Sequence, residues 1–262
     1  MVAAMWIRST MTYRFGFVVT LVSSFVITFL DFVVVLLMFG QVDGLGGFDF
    51  AEVAFLYGTT GTAFGIADLT LGQLNRLGRR VRDGTLDTLL VRPAPVLAQV
   101  AADRFALRRL GRLTQGLMVL VWSLVLLVGD GRVDWSPGKV LAVPMMVLCG
   151  AVIFGAVFVL GASLQFLAQD GAEFANSVTF GGNTLLQYPP TVFAQDLVRG
   201  VTFVVPLAFV NWIPALWVLG RDNPLGLPDA LALLPPLVAV AFCAVAALAW
   251  RAGLRSYRST GS

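Results

Sequence analysis

The chain has 262 residues, of which 58% are hydrophobic and only 13% charged, with a formal net charge of +3. A soluble domain carries roughly 45–50% apolar and about 25% charged residues, so this composition excludes a water-soluble globule of the same length. The sequence has no His and 2 Cys, which removes imidazole acid–base chemistry, His-ligated metals and a disulfide framework.

Crossing a hydrocarbon core about 30 Å thick takes about 20 apolar residues. The first run that qualifies is 16–39, which is longer than a signal-peptide core and lacks a small-residue cleavage site, so it reads as a span. Asp31 lies inside it, where a carboxylate costs about 2.5–3.5 kcal/mol at mid-bilayer. Three readings stay open for Asp31: a structural polar link, a position on a transport path, or a side chain that snorkels outward. Phe25, Phe29 and Phe32 of the same run either face lipid and core or grip an apolar substrate. The second run, 53–75, carries Gly61 and Gly65 as a small-xxx-small pair for close helix approach, and Asp68 near its end. Further runs follow at 113–129, at 140–168 with Ala151 and Gly155 as a second small pair, and at 231–250. Cys149 and Cys243 fall in such runs and read as small apolar residues.

The region 172–219 admits two readings. Hydropathy alone places a span at Val201–Leu219. The milder run Phe174–Phe193 is the competing choice, with 200–219 then a segment that dips in and returns, broken at Pro206 and Pro214. Proline frees backbone groups that must be satisfied within protein, which favours the second reading. Either way the whole chain, 1–262, is one membrane domain with no soluble part.

Basic residues fix the expected orientation, because cytoplasmic loops retain Lys and Arg. Nine arginines from Arg76 to Arg112 crowd the second connection, and Arg251, Arg255 and Arg258 follow the last run. The first and third connections are acidic or balanced. Both termini are expected in the cytoplasm, with an even number of crossings, six.

Catalysis finds little support. Asp31 and Asp68 sit at different depths without the Gly-rich surroundings of a paired-aspartate protease, and the lone Lys139, in SPGKV, has no phosphate-cradling GxxxxGK[ST] around it. Any ATP-driven work therefore needs a partner.

The basic connection has three parts. Leu71–Val81 prolongs the second span among arginines suited to anionic headgroups. Asp83-Gly84 breaks the helix, and Leu86, Leu89 and Leu90 then recur at i, i+3 and i+4 until Pro93 and Pro95 end the run. Last, Val96, Val100, Asp103, Leu107 and Leu110 form one mostly apolar face beside a stripe of Arg104, Arg108 and Arg112.

The phrase GTLDTLLVRP (Gly84–Pro93), followed by Gln99, resembles the G-x-hydrophobic-D/E-x-L-L-x-R-P…Q signature of ABC transporter permeases of the type 2 export class, in the branch related to drug-resistance exporters. Tyr188-Pro189, then VVPLAFV at Val204–Val210 and Pro214-Ala215, is similar to that branch's YP…VIPLAFV-x-Y-x-P stretch, with Trp212 where Tyr is common.

The resemblance implies an all-α permease of six spans. It implies an N-terminal amphipathic helix at about Ala3–Tyr13 on the inner surface, 174–193 as the fifth span, and an outer-side re-entrant element that includes Tyr188, Pro189, Pro206 and Pro214. It also implies a cytoplasmic coupling helix carrying Thr85, Leu86, Asp87, Leu89, Leu90 and Arg92, whose leucines insert into a groove of an ABC ATP-binding subunit rather than into lipid. Arg92 touches either headgroups or that partner. The chain is then a non-enzymatic permease in a bacterial inner (plasma) membrane. It binds no cofactor itself, ATP and Mg being held on the partner ATPase, and it has lipid neighbours and no nucleic-acid role. A second permease subunit completes it, a heteromeric pair being favoured over a homodimer. The expected function is multidrug-type efflux of an amphipathic drug, natural product or lipid by alternating access. The competing expectation is a secondary transporter or channel subunit that uses Asp31 for ion coupling.

Overall fold

The computed structural model describes residues 14–42, 44–102, 109–131, 133–167 and 171–257. The amphipathic helix expected at Ala3–Tyr13, and Arg104 and Arg108 of the basic stripe, lie outside the described residues. Those described are helical throughout apart from turns and one isolated bridge, Leu45 to Phe48. The long helices are α1 (Arg14–Phe39) and α2 (Phe50–Leu71). Short helices α3 (Leu77–Arg82), α4 (Asp87–Leu90) and α5 (Val96–Ala102) follow. Next come α6 (Arg109–Gly129), α7 (Pro137–Leu164) and α8 (Gly171–Leu186). Two more short helices, α9 (Gln195–Phe203) and α10 (Trp212–Leu219), precede α11 (Pro235–Ser256).

Among the described residues four segments are long and apolar enough to cross a bilayer alone: Val18–Phe39, Arg109–Gly129, Pro137–Leu164 and Pro235–Ser256. The protein is thus a multi-pass membrane protein. Helix α2 falls outside that set although its 22 residues reach about 33 Å. It is the buried centre of the bundle, packed on α6 and α7, so its Thr, Asp and Glu side chains bond to protein and need no lipid-compatible surface.

Glycines set the α2–α6 spacing. A Cβ on Gly58 would lie 2.5 Å from Leu120 N, and one on Gly116 would lie 2.7 Å from the Gly61 carbonyl carbon. Only bare backbone fits between these helices, as the small-residue spacing predicts for close packing. Asp49 caps α2 by accepting from Glu52 N at 2.9 Å while Glu52 accepts from Asp49 N, a full capping box. Glu52 also takes a two-pronged bond from Arg221, at 2.7 and 2.8 Å. Peripheral α1 by contrast buries only a narrow stripe, Thr28, Phe32 and Val35, leaving Val18, Val22, Ile27, Leu30 and Leu37 exposed.

The region 172–219 is not one straight span at 201–219. Residues Gln195–Phe203 and Leu207–Leu219 meet at 82°, with the break at Val204–Pro206. Pro206 opens a 3-10 turn, and Pro214 sits in the first turn of α10, where a missing N–H breaks no intrahelical bond. Fully buried Asn211, at the head of α10, ties this region to the core. Its amide donates to the carbonyls of Leu56 and Leu186, each at 2.9 Å, and to Thr60 Oγ1, while its carbonyl accepts from Thr59 Oγ1 at 2.9 Å. The Trp212 indole donates to the Tyr188 carbonyl at 2.9 Å.

Candidate functional site

Two places concentrate functional chemistry: the α3–α5 segment at the arginine-rich end, and a polar cleft between helices.

In the first, Gly84 adopts φ +65°, a left-handed turn that favours Gly and reverses the chain after α3. Helix α4 then lies against the bundle. Leu86 is 0% and Leu89 6% exposed, both inside the chain's own hydrophobic core, whereas Leu90 is 44% and Val91 84% exposed. This corrects the expectation that Leu86, Leu89 and Leu90 all insert into a partner: two of them anchor the short helix to the permease, and Leu90 with Val91 and exposed Arg92 forms the outward surface. Gln99 explains its own place in the motif. Its Nε2 donates to the carbonyls of Leu89, at 3.0 Å, and Ala94, at 2.8 Å, capping groups that the short helix leaves free. Thr88 Oγ1 donates to the Thr85 carbonyl at 2.8 Å, and Thr85 is exposed.

Two distant residues fix this segment to the helices. Tyr257, just past α11, donates its hydroxyl to Asp87 Oδ1 at 2.9 Å. Burial, then the bonded Asp87 carboxylate, push the Tyr257 phenol above its ordinary 10.0. On the other flank Gln165, at the end of α7, accepts from Gly78 N at 2.6 Å and donates to the Leu74 carbonyl at 3.3 Å. Neither Tyr257 nor Gln165 carries a sequence signal for these roles.

The cleft, of about 330 Å³, lies between α1, α2, α6 and α8. Asp31 and Thr28 reach it from α1, Tyr57 from α2, Arg112 and Gln115 from α6, and Asn183, Gln187 and Tyr188 from α8 and its end. A smaller cavity of about 190 Å³ shares Arg112 and Phe180 with it and continues toward the basic end. There Asp68 is held between Arg109 Nε at 3.2 Å and Arg112 Nη1 at 3.4 Å. The Arg112 guanidinium also lies over the rings of Phe64 and Phe180, 5.3 and 5.5 Å from their centroids. Phe25, Phe29 and Phe32 do not line the cleft. Phe32 is fully buried against Tyr57, Phe50 and Trp122, so it is core rather than a substrate contact, while Phe25 stacks on Phe29 at 5.8 Å along the outer stripe of α1. Tyr188, expected in a far-end element, lines the cleft, and Pro189 follows it into the turn. A larger groove of about 690 Å³, between α7, α8 and α11, presents almost only apolar side chains and offers nothing to recognise a polar group.

The described residues form a bundle of membrane-crossing helices around a polar cleft. Residues 25–261 match the model of the ABC-2 family transporter protein family, and the chain belongs to that family. It is accordingly the membrane component of an ABC transporter, a family that works with an ATP-binding partner. No characterised protein in the curated set and no solved structure matches it.

Proposed function

We propose that this chain is the six-span permease half of an ATP-driven exporter in a bacterial inner membrane, with both termini cytoplasmic. Helices α2 and α8 supply two spans beyond the four that are long and apolar enough on their own, and 195–219 is a re-entrant element on the outer side. The 82° bend between two short helices supports this reading, as does the gathering of arginines at the opposite end.

The observation that carries the proposal is the coupling segment. A four-residue helix, fixed from within by Leu86 and Leu89 and capped by Gln99, holds Leu90, Val91 and Arg92 outward as a small apolar and basic knob. Such a knob fits a cleft in an ATP-binding subunit, and Asp87 and Thr85 shape its rim. ATP and Mg bind on that partner. A second, different permease subunit closes the cleft from the side of α1 and α8, and alternating access moves an amphipathic substrate through it. The test is purification of the tagged chain in mild detergent with mass spectrometry and an ATPase assay. An ATP-binding subunit is recovered with the natural chain and lost with Leu90→Glu/Val91→Glu. Recovery of an ATPase-free permease that moves solute in liposomes sinks the proposal.

One observation favours a second reading, a secondary transporter. Asp31 is an exposed carboxylate in the cleft, and ion coupling would use it. That reading requires transport without ATP and its loss in Asp31→Asn.

A further inference from the structure

The cleft holds polar groups that the fold leaves without partners. Asp31 is exposed into it from the middle of a long apolar helix, and no described residue hydrogen-bonds or ion-pairs with it. The Tyr57 phenol is an electrostatic neighbour of Asp31. Arg112, the cation lining the same cleft, is engaged with Asp68. Gln115 is 2% exposed, and although its amide nitrogen approaches Tyr57, it reaches no acceptor at hydrogen-bond geometry. Asn183 Oδ1 is likewise buried without a donor.

These vacancies are chemically specific. A carboxylate and an amide oxygen call for a donor, and a carboxylate carried by a membrane-crossing apolar helix is best met by a positive one. The Gln115 amide nitrogen calls for an acceptor. Around Asp31, the exposed face of α1 carries the apolar side chains Ile27, Leu30 and Val34.

We infer that the cleft recognises the head of a cationic amphiphile. An ammonium group bonds to Asp31 and Asn183 Oδ1, an adjacent hydroxyl or carbonyl oxygen accepts from Gln115, and the apolar body lies along α1. This inference rests on the cleft being the transport path proposed above, and it narrows the amphipathic substrate to amines carrying a neighbouring oxygen. Charge sets the selection, because an anionic head meets Asp31 and a neutral head leaves it unpaired.

The test measures equilibrium binding to the chain, purified with whatever subunits accompany it, in phosphatidylcholine nanodiscs, with empty discs subtracted for partition. Four probes share one tail: 1-amino-2-dodecanol, dodecylamine, dodecanol and dodecanoate. A charge-assisted bond predicts amine affinity about tenfold or more above the alcohol, with the amino alcohol tightest and dodecanoate weakest. Asp31→Asn should bring the amines down to the alcohol, and Asp31→Glu should keep the preference. Equal binding of all four heads by the natural chain overturns the inference without any variant, as does an amine preference that survives in Asp31→Asn. Absence of an ATP-binding subunit from the preparation defeats the exporter reading instead, so the two failures are told apart.

Discussion

The Tyr257 hydroxyl donates to Asp87 Oδ1 at 2.9 Å across 170 residues of sequence, joining the end of α11 to the short helix α4. A bond to a charged group contributes about 1.5–3 kcal/mol. Tyr257→Phe should therefore loosen α4 without unfolding the bundle, and the amount of substrate moved per ATP should fall severalfold while the ATP-binding subunit still co-purifies. Because the phenol titrates above 10.0 in the folded chain, this contribution is complete below pH 10 and fades as pH climbs through the raised value. Phenolate absorbance against pH, compared between natural chain and Tyr257→Phe, checks the sign.

Leu89 and Leu90 are adjacent in sequence and opposite in fate. Leu89→Glu buries a charge in the permease core, and its Tm should drop by several degrees, with poor yield. Leu90→Glu leaves Tm close to the natural value and abolishes recovery of the ATPase. Thermal melts and pull-downs of the two variants side by side separate anchoring from docking.

Gly116 has no room for a methyl, since its Cβ would meet the Gly61 carbonyl carbon at 2.7 Å. Overpacking of this kind costs about 1–3 kcal/mol. Gly116→Ala should lower Tm, whereas Gly129→Ala, with nothing within 4 Å of the added carbon, should not.

Asn211→Leu removes the bonds to Leu56, Leu186 and both hydroxyls of Thr59 and Thr60 at once. A buried polar group left unpaired costs about 1–3 kcal/mol. The expected result is freer movement of 195–219, read as faster hydrogen exchange at α10 and at the end of α8.

The phrase Gly84–Pro93 with Gln99 was legible letter by letter as a family resemblance, yet the direction in which its leucines face was not. A run of apolar residues at i, i+3 and i+4 is the same whether it packs on its own chain or on another. Helix α2 was found as an apolar run, but its centrality was hidden, because Thr59, Thr60 and Asp68 lower its hydropathy for the same reason that makes it the core: their partners lie in protein. Asp31 was legible as a costly residue. The groups that surround it come from three other helices, and nothing in local periodicity brings Tyr57, Gln115 and Asn183 to one place. Phe32 was left open between core and substrate contact, and the fold places it in the core.

The glycine seam between α2 and α6 has a mechanical meaning. With backbone set directly against backbone at Gly58, Gly61 and Gly116, neither helix can turn about its axis without colliding, so the pair behaves as a single stiff rod. At one end α2 passes through a 3-10 stretch, Gly72–Arg76, into α3 and on to the segment anchored by Leu86 and Leu89. Tyr57 and Gln115 stand on the two helices of this seam, whereas α1 is held by three buried side chains on one stripe, Thr28, Phe32 and Val35.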